Sequence, residues 1–197
     1  MWRDIRNYNT LIACLPNESK EILYKNKIIF STLTSKPPIF NYASFCKSLL
    51  VCDVNFYIRK LLNEQQPISQ YLDDNLHIAS REIFKLLMSE ISSLRSLVCY
   101  DMSLIQNATF TSYPGARACL KDLSELYRGS DICPEFFYQL SKICHNIQVL
   151  RVTYQKVISN GLADLISTQQ NLKYLCIFQF YDCENLRYDI FVGKNSK

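Results

Sequence analysis

One short pattern occurs four times between Leu94 and Ile177 of this 197-residue chain, and the repetition limits the folds open to it more than any other feature. Each copy reads apolar, two variable residues, apolar, one variable residue, apolar. The copies are Leu94 to Cys99, Leu123 to Arg128, Ile147 to Val152 and Leu172 to Ile177, and their first positions lie 29, 24 and 25 residues apart. Alternation of this kind predicts a short strand with one buried side. Helical stripes fall between the copies. Phe84, Leu87, Met88 and Ile91 precede the first, Phe137, Leu140 and Cys144 share a face after Pro134, and Ser159 or Asn160 can cap a helix carrying Leu162, Leu165 and Ile166. A single strand-plus-helix unit cannot bury its own apolar side, but stacked units share one core with their strands in a parallel sheet.

Repeat spacings of roughly 20 to 29 residues are those of leucine-rich repeats. The expected fold is therefore α/β, a short leucine-rich-repeat-like solenoid with a strand and a helix per repeat and a helical N-terminal cap. It is expected to form a single domain over 1–197, with 1–45 as the helical N-terminal segment and 46–197 as the repeats. Cys46, Leu49 and Val51 fit the template too, and the 48 residues from Cys46 to Leu94 leave room for one degenerate unit. The second copy is the weakest. Arg128 takes its last apolar position, and a rival register would use Leu120 and Leu123 with Glu125 as the misfit. Ahead of the repeats, Ile5, Tyr8, Leu11, Ile12 and Leu15 share a helical face that Pro16-Asn17 ends. Asn17 suits the N-cap of a second helix over Glu18 to Tyr24 with Ile22 and Leu23 as its apolar contacts, and Ser35-Lys36-Pro37-Pro38 is expected to be extended.

Composition removes several function classes. With 48% hydrophobic and 20% charged residues and only four Gly and six Pro, the chain reads as globular and without a linker. Its net charge of +4 is spread out, and Lys20, Lys25 and Lys27 form too small a cluster for a nucleic-acid binder, so no nucleic acid is expected as a partner. No apolar run reaches the roughly 20 residues that cross a bilayer, so no membrane partner is expected either. The nine Cys are scattered, odd in number and without a Cys-x-x-Cys pair, and Met1-Trp2-Arg3-Asp4 begins no secretory signal. Reduced thiols, mostly buried as small hydrophobes, and an intracellular location in cytoplasm or nucleus follow. Neither a metal site nor a cofactor is expected.

Several strings resemble a known family. Trp2, the run Asn7 to Lys20, Ser35-Lys36-Pro37-Pro38 with Phe40-Asn41-Tyr42, Ile132 to Phe137 and Val157 to Leu162 are similar to an expanded fungal family of F-box proteins with degenerate leucine-rich repeats. The resemblance implies a region C-terminal to the F-box, whose helices would precede Trp2, with no residues here that match the F-box itself. It implies recognition of a protein by the repeats, as in the substrate-binding part of a ubiquitin-ligase subunit. Docking on the ligase adaptor is not expected without an F-box. The last residues, Leu186 to Lys197, hold no further complete unit, and the alternative expectation is a truncated, poorly folded fragment with no independent function.

Catalytic constellations are thin. His77 near Asp73 and Asp74 reads as a polar loop before a helix starting at 79, and no nucleophile or metal partner accompanies it. Cys144 and His145 are adjacent, so on a helix they point about 100° apart and form no dyad. No enzyme is expected. The binding signal is more specific: outward positions on the strands would be Ser96, Val98 and Tyr100, Glu125 and Tyr127, Val149, Arg151 and Thr153, and Tyr174, Cys176 and Phe178. Of these, Tyr100, Glu125, Tyr127, Arg151, Tyr174 and Phe178 are the candidate protein-binding residues, because tyrosine and arginine dominate interface hot spots.

Overall fold

In the computed structural model, which describes residues 5–31, 38–65, 72–99, 110–129, 134–154 and 160–179, five parallel strands lie side by side in the order in which the chain makes them. They are β1 (Ser48–Leu50), β2 (Ser96–Cys99), β3 (Glu125–Gly129), β4 (Val149–Tyr154) and β5 (Tyr174–Gln179). The protein is mixed α/β, with seven α-helices among the described residues. The pairing register puts Leu49, Leu97, Leu126, Leu150 and Leu175 in one row across the sheet. All five are buried. A second inward row runs Cys99, Arg128, Val152 and Ile177.

One hydrogen-bond motif opens β2 through β5. The Lys47 carbonyl accepts from the amides of Arg95 and Ser96, that of Arg95 from Ser124 and Glu125, that of Ser124 from Gln148 and Val149, and that of Gln148 from Lys173 and Tyr174, all at 2.8–3.1 Å. The positions three residues before each copy of the apolar template also agree: Ala43, Ile91, Leu120 and Cys144 are buried. The register of the second copy is thereby decided. Leu126 pairs with Leu97 and Leu150, Leu120 sits in the layer of Ile91 and Cys144, and Glu125 points to the other side of the sheet.

The last copy replaces the apolar residue of that layer with Gln169. Its Oε1 accepts from the Ile147 amide at 2.8 Å and its Nε2 donates to the carbonyls of Cys144 and Leu165, both at 2.8 Å. A buried amide that satisfies backbone groups in this way costs little to bury. Next to it, Asn171 Nδ2 donates to Asn146 Oδ1 at 2.7 Å, joining equivalent positions 25 residues apart.

Between β1 and β2 the expectation of a degenerate strand unit is corrected. β1 pairs directly with β2, and the interval holds two helices, α3 (Val51–Gln65) and α4 (Leu72–Glu90). Both have helical rather than strand periodicity: Val54, Ile58, Leu61 and Leu62 on α3 and Leu76, Ala79, Ile83, Phe84 and Leu87 on α4 all enter the core. The polar loop expected around Asp73, Asp74 and His77 is likewise helix, because α4 starts at Leu72 and its two aspartates occupy the first turn, where the helix dipole favours them.

The N-terminal helices are α1 (Ile5–Ala13) and α2 (Asn17–Lys25). Tyr8, Leu11, Ile12 and Leu15 are buried as expected, while Asn17 is not a cap: Pro16 holds that place, and no side chain caps the helix. The end of α2 is better made. Lys27 adopts φ 58°, the Lys27 amide donates to the Tyr24 carbonyl and the Ile28 amide to that of Leu23, and Leu23 and Ile28 are both buried. This is a Schellman ending with its usual apolar contact. Residues 32–37 lie outside the described residues, as does most of the Ser35 to Pro38 segment expected to be extended.

α4 anchors this half of the chain through Glu82, whose side chain is 1% exposed. Its Oε2 accepts from Ser19 Oγ on α2 at 2.9 Å, and its Oε1 from Lys85 Nζ at 2.9 Å and Arg81 Nε at 3.1 Å. Burial pushes its pKa up, but the hydrogen bonds from Lys85, Ser19 and Arg81 outweigh that and leave the carboxyl below its ordinary range. At the other end of α4, Gly115 caps α5 (Ala116–Leu120) with φ 79°. A Cβ there would stand 2.6 Å from the Met88 carbonyl oxygen, so the position needs glycine on both counts. The remaining helices are α6 (Pro134–Ser141), with proline as its first residue, and α7 (Asn160–Ser167), which packs along it.

Candidate functional site

The sheet positions five of the six candidate residues, and the sixth, Tyr100, lies outside the described residues. Across β2 to β5 the side opposite the leucine row carries two full rows and a shorter one. One runs Ser96, Glu125, Val149, Tyr174 and the other Val98, Tyr127, Arg151, Cys176. A third, shorter row pairs Gly129, Thr153 and Phe178. Strand alternation is what sends these side chains away from the leucines.

Arg151 is the centre of this face. It is exposed, and its Cζ lies 5.2 Å from the centroid of the Tyr127 ring and 5.0 Å from that of Tyr174. Tyr127 is its direct partner in the β3–β4 ladder and Tyr174 its diagonal neighbour on β5. Both distances are within the range at which a guanidinium is held by an aromatic quadrupole. Glu125, Tyr174 and Phe178 are half-buried, as is Tyr127. Two outward positions differ from expectation. Val98 and Cys176 are both buried: Val98 is paired with Leu50 and Tyr127, and Cys176 with Arg151, with Tyr174 and Phe178 two residues away on either side along β5.

The opposite side of the sheet explains the residue that fitted the template worst. Arg128 is 3% exposed, and its Cζ stacks 3.5 Å above the ring of Phe136 on α6. The thiol of Cys99 is beside it in the ladder. Burial pushes that thiol up to about 11, with the Arg128 charge and hydrogen bond pulling the other way. Sequence reasoning found the misfit but not its partner, because the Arg128–Phe136 contact joins a strand to the next helix and leaves no periodic trace.

The other chemical candidates are dispersed. Cys144 Sγ donates to the Leu120 carbonyl at 3.1 Å and is pushed up to about 12 by burial, whereas His145 is exposed. Cys119, also buried, is pushed up to about 12. Such thiols carry little thiolate at neutral pH and are poor nucleophiles. Asp73 bonds Arg59 Nη2 on α3 at 2.8 Å, and His77 is exposed. Among the described residues no group of three or more His, Cys, Asp or Glu side chains could hold a metal ion, and no helix is long and apolar enough to cross a membrane.

One exposed group escaped sequence reasoning. Ile39, Phe40, Tyr42 and Phe45, just ahead of β1, are all exposed, with Ile39 at 93% and the Phe40 and Tyr42 rings edge to face at 6.2 Å. The signal available was four large apolar residues within seven positions that obey neither helical nor strand periodicity.

Compared with family models, with curated proteins and with solved structures, the chain matches none.

Proposed function

We propose that this chain is a protein-recognition module without chemistry of its own, a short leucine-rich-repeat-like stack that binds its partner on the β3–β5 face. Its role resembles that of the substrate-recognition part of an F-box ubiquitin-ligase subunit, working inside the cell in the cytoplasm or nucleus. The observation that carries the reading is the Tyr127–Arg151–Tyr174 arrangement: an exposed guanidinium fixed between two half-buried rings. Large, partly immobilised side chains with polar ends lose little entropy when a partner covers them, which is why they dominate binding hot spots. The sequential parallel sheet and the repeated strand-start hydrogen bonds support the repeat-stack reading.

The test compares the wild-type chain with a triple variant, Tyr127→Ala, Arg151→Ala and Tyr174→Ala, by proximity labelling and affinity capture with mass spectrometry. A parallel version carries a grafted F-box. The triple variant should lose the captured protein while its stability falls by no more than about 1–2 kcal/mol. Only the grafted version should bring ligase subunits. Undiminished capture by the triple variant contradicts the proposal, and unfolding of the variant would mean that these side chains belong to the core.

A further inference from the structure

Resting on the reading of the β3–β5 face as a binding surface, we infer that its partner is an extended peptide presenting a carboxylate to Arg151 and a basic side chain, two residues away, to Glu125. Both residues are on the face, and neither forms an ion pair among the described residues. Glu125 is the ladder partner of Val149 and so the diagonal neighbour of Arg151. With parallel strands roughly 4.8 Å apart and a rise of roughly 3.3 Å per residue, such diagonal neighbours lie roughly 8 Å apart. Alternate side chains of an extended peptide, on the same face, repeat at about 6.6–6.8 Å. The spacing of the two charges on the sheet therefore suits residues i and i+2 of a bound strand-like segment.

The occupant's chemistry follows from the charges. Arg151 is exposed with the rings of Tyr127 and Tyr174 5.2 and 5.0 Å away, and the paired N–H groups of a guanidinium match a carboxylate in bidentate fashion. A phosphorylated side chain is disfavoured. Phosphate dianions are usually bound by clusters of arginines, whereas the described strand residues of this face include one, with the Glu125 carboxylate at its diagonal. A nucleic acid could stack bases on the two tyrosines, but its phosphates meet the same single cation and the same nearby anion.

The test uses a random-peptide library selected on the intact chain, followed by affinity measurements with synthetic versions of an enriched peptide. Enriched sequences should share Asp or Glu with Lys or Arg two positions away. Replacing that acid by its amide should weaken binding roughly ten-fold or more. Arg151→Gln should weaken the original peptide as much and bind the amide version no worse than wild type does. A phosphoserine version and a single-stranded oligothymidylate at the same ionic strength should both bind more weakly than the acidic peptide. Enriched peptides without an acid, or with equal affinity for Arg151→Gln, overturn the inference. If those peptides are still lost on Tyr174→Ala, the face remains the binding surface and only its preference for acid falls. If Tyr127→Ala and Tyr174→Ala bind them as wild type does, the face itself is wrong. Tighter binding of the phosphoserine peptide or of the oligonucleotide, or no enrichment on a folded chain, equally contradicts the inference.

Discussion

From Leu94 to Ile177 the chain uses one strand-start motif again and again, whereas from Ile5 to Glu90, apart from the Lys47 carbonyl that begins that motif, the elements are joined by individual contacts. In the later region successive carbonyls, from Arg95 onward, each accept two amides of the next strand, and leucines stack in a single row. In the earlier region four helices and a three-residue strand are tied by particular partners: Ser19 with Glu82, Arg59 with Asp73, Asn41 with Glu90, and the close approach of Gly115 to Met88. On the repeat-stack reading proposed above, the later region would gain stability from equivalent neighbours, so that damage to one unit is shared with the next. The helical region has no such redundancy. Burial also falls from β4 to β5: Ile147 and Val152 are fully buried, while Leu172 and Ile177 at the equivalent template positions are half-buried.

The largest expected effect breaks the middle of the leucine row. Leu126→Ala should lower stability by about 3 kcal/mol, as for a fully buried leucine, while Leu175→Ala should cost about 2 kcal/mol because its layer is less enclosed. Urea unfolding of the two variants reads the difference directly, and equal losses would erase the gradient. Next comes Gly115→Ala, expected to cost about 2 kcal/mol through its positive φ and the clash with the Met88 carbonyl. A loss as small as that of an ordinary surface substitution would show that α5 can shift without disturbing α4.

The smallest effect separates the regions by pH. The Glu82 carboxyl is held below its ordinary value of 4.5 in the folded chain. Its contribution to stability is complete above the unfolded value and disappears as pH falls through the lower folded one. Glu82→Gln should therefore be less stable near neutrality and show a shallower loss on acidification, measured by thermal unfolding between pH 7 and the acid limit. Identical acid limbs for variant and wild type would remove Glu82 from the account.

What could be read in the sequence follows the same division. Leu97, Leu150 and Leu175 stand out because a strand with one buried side has a two-residue period, whereas for Leu126 a rival register stayed open in the sequence until the pairing with β2 and β4 decided it. Arg151 with Tyr127 and Tyr174 was legible for the same reason: once the leucines face inward, the residues between them face outward. Of the two helices between β1 and β2, α4 was legible in the Phe84, Leu87 and Met88 stripe, although it starts at Leu72 rather than at 79, whereas α3 was not recognised, because a 48-residue gap invited another strand unit. Glu82 could not be found either. A glutamate in an amphipathic helix looks solvated until Ser19, 63 positions earlier, is brought beside it. Gly115 showed no sign of its role, since the carbonyl it must avoid belongs to the end of another helix.

Amide hydrogen exchange of the isolated chain tests the central claim, that the units share one layer carrying the binding face. The amides of β2, β3 and β4 should exchange as one slow group, with those of β5 faster and the α1–α2 region opening separately. Strands that exchange one by one at unrelated rates, or a β5 as protected as β3, would contradict a shared layer graded toward its last unit.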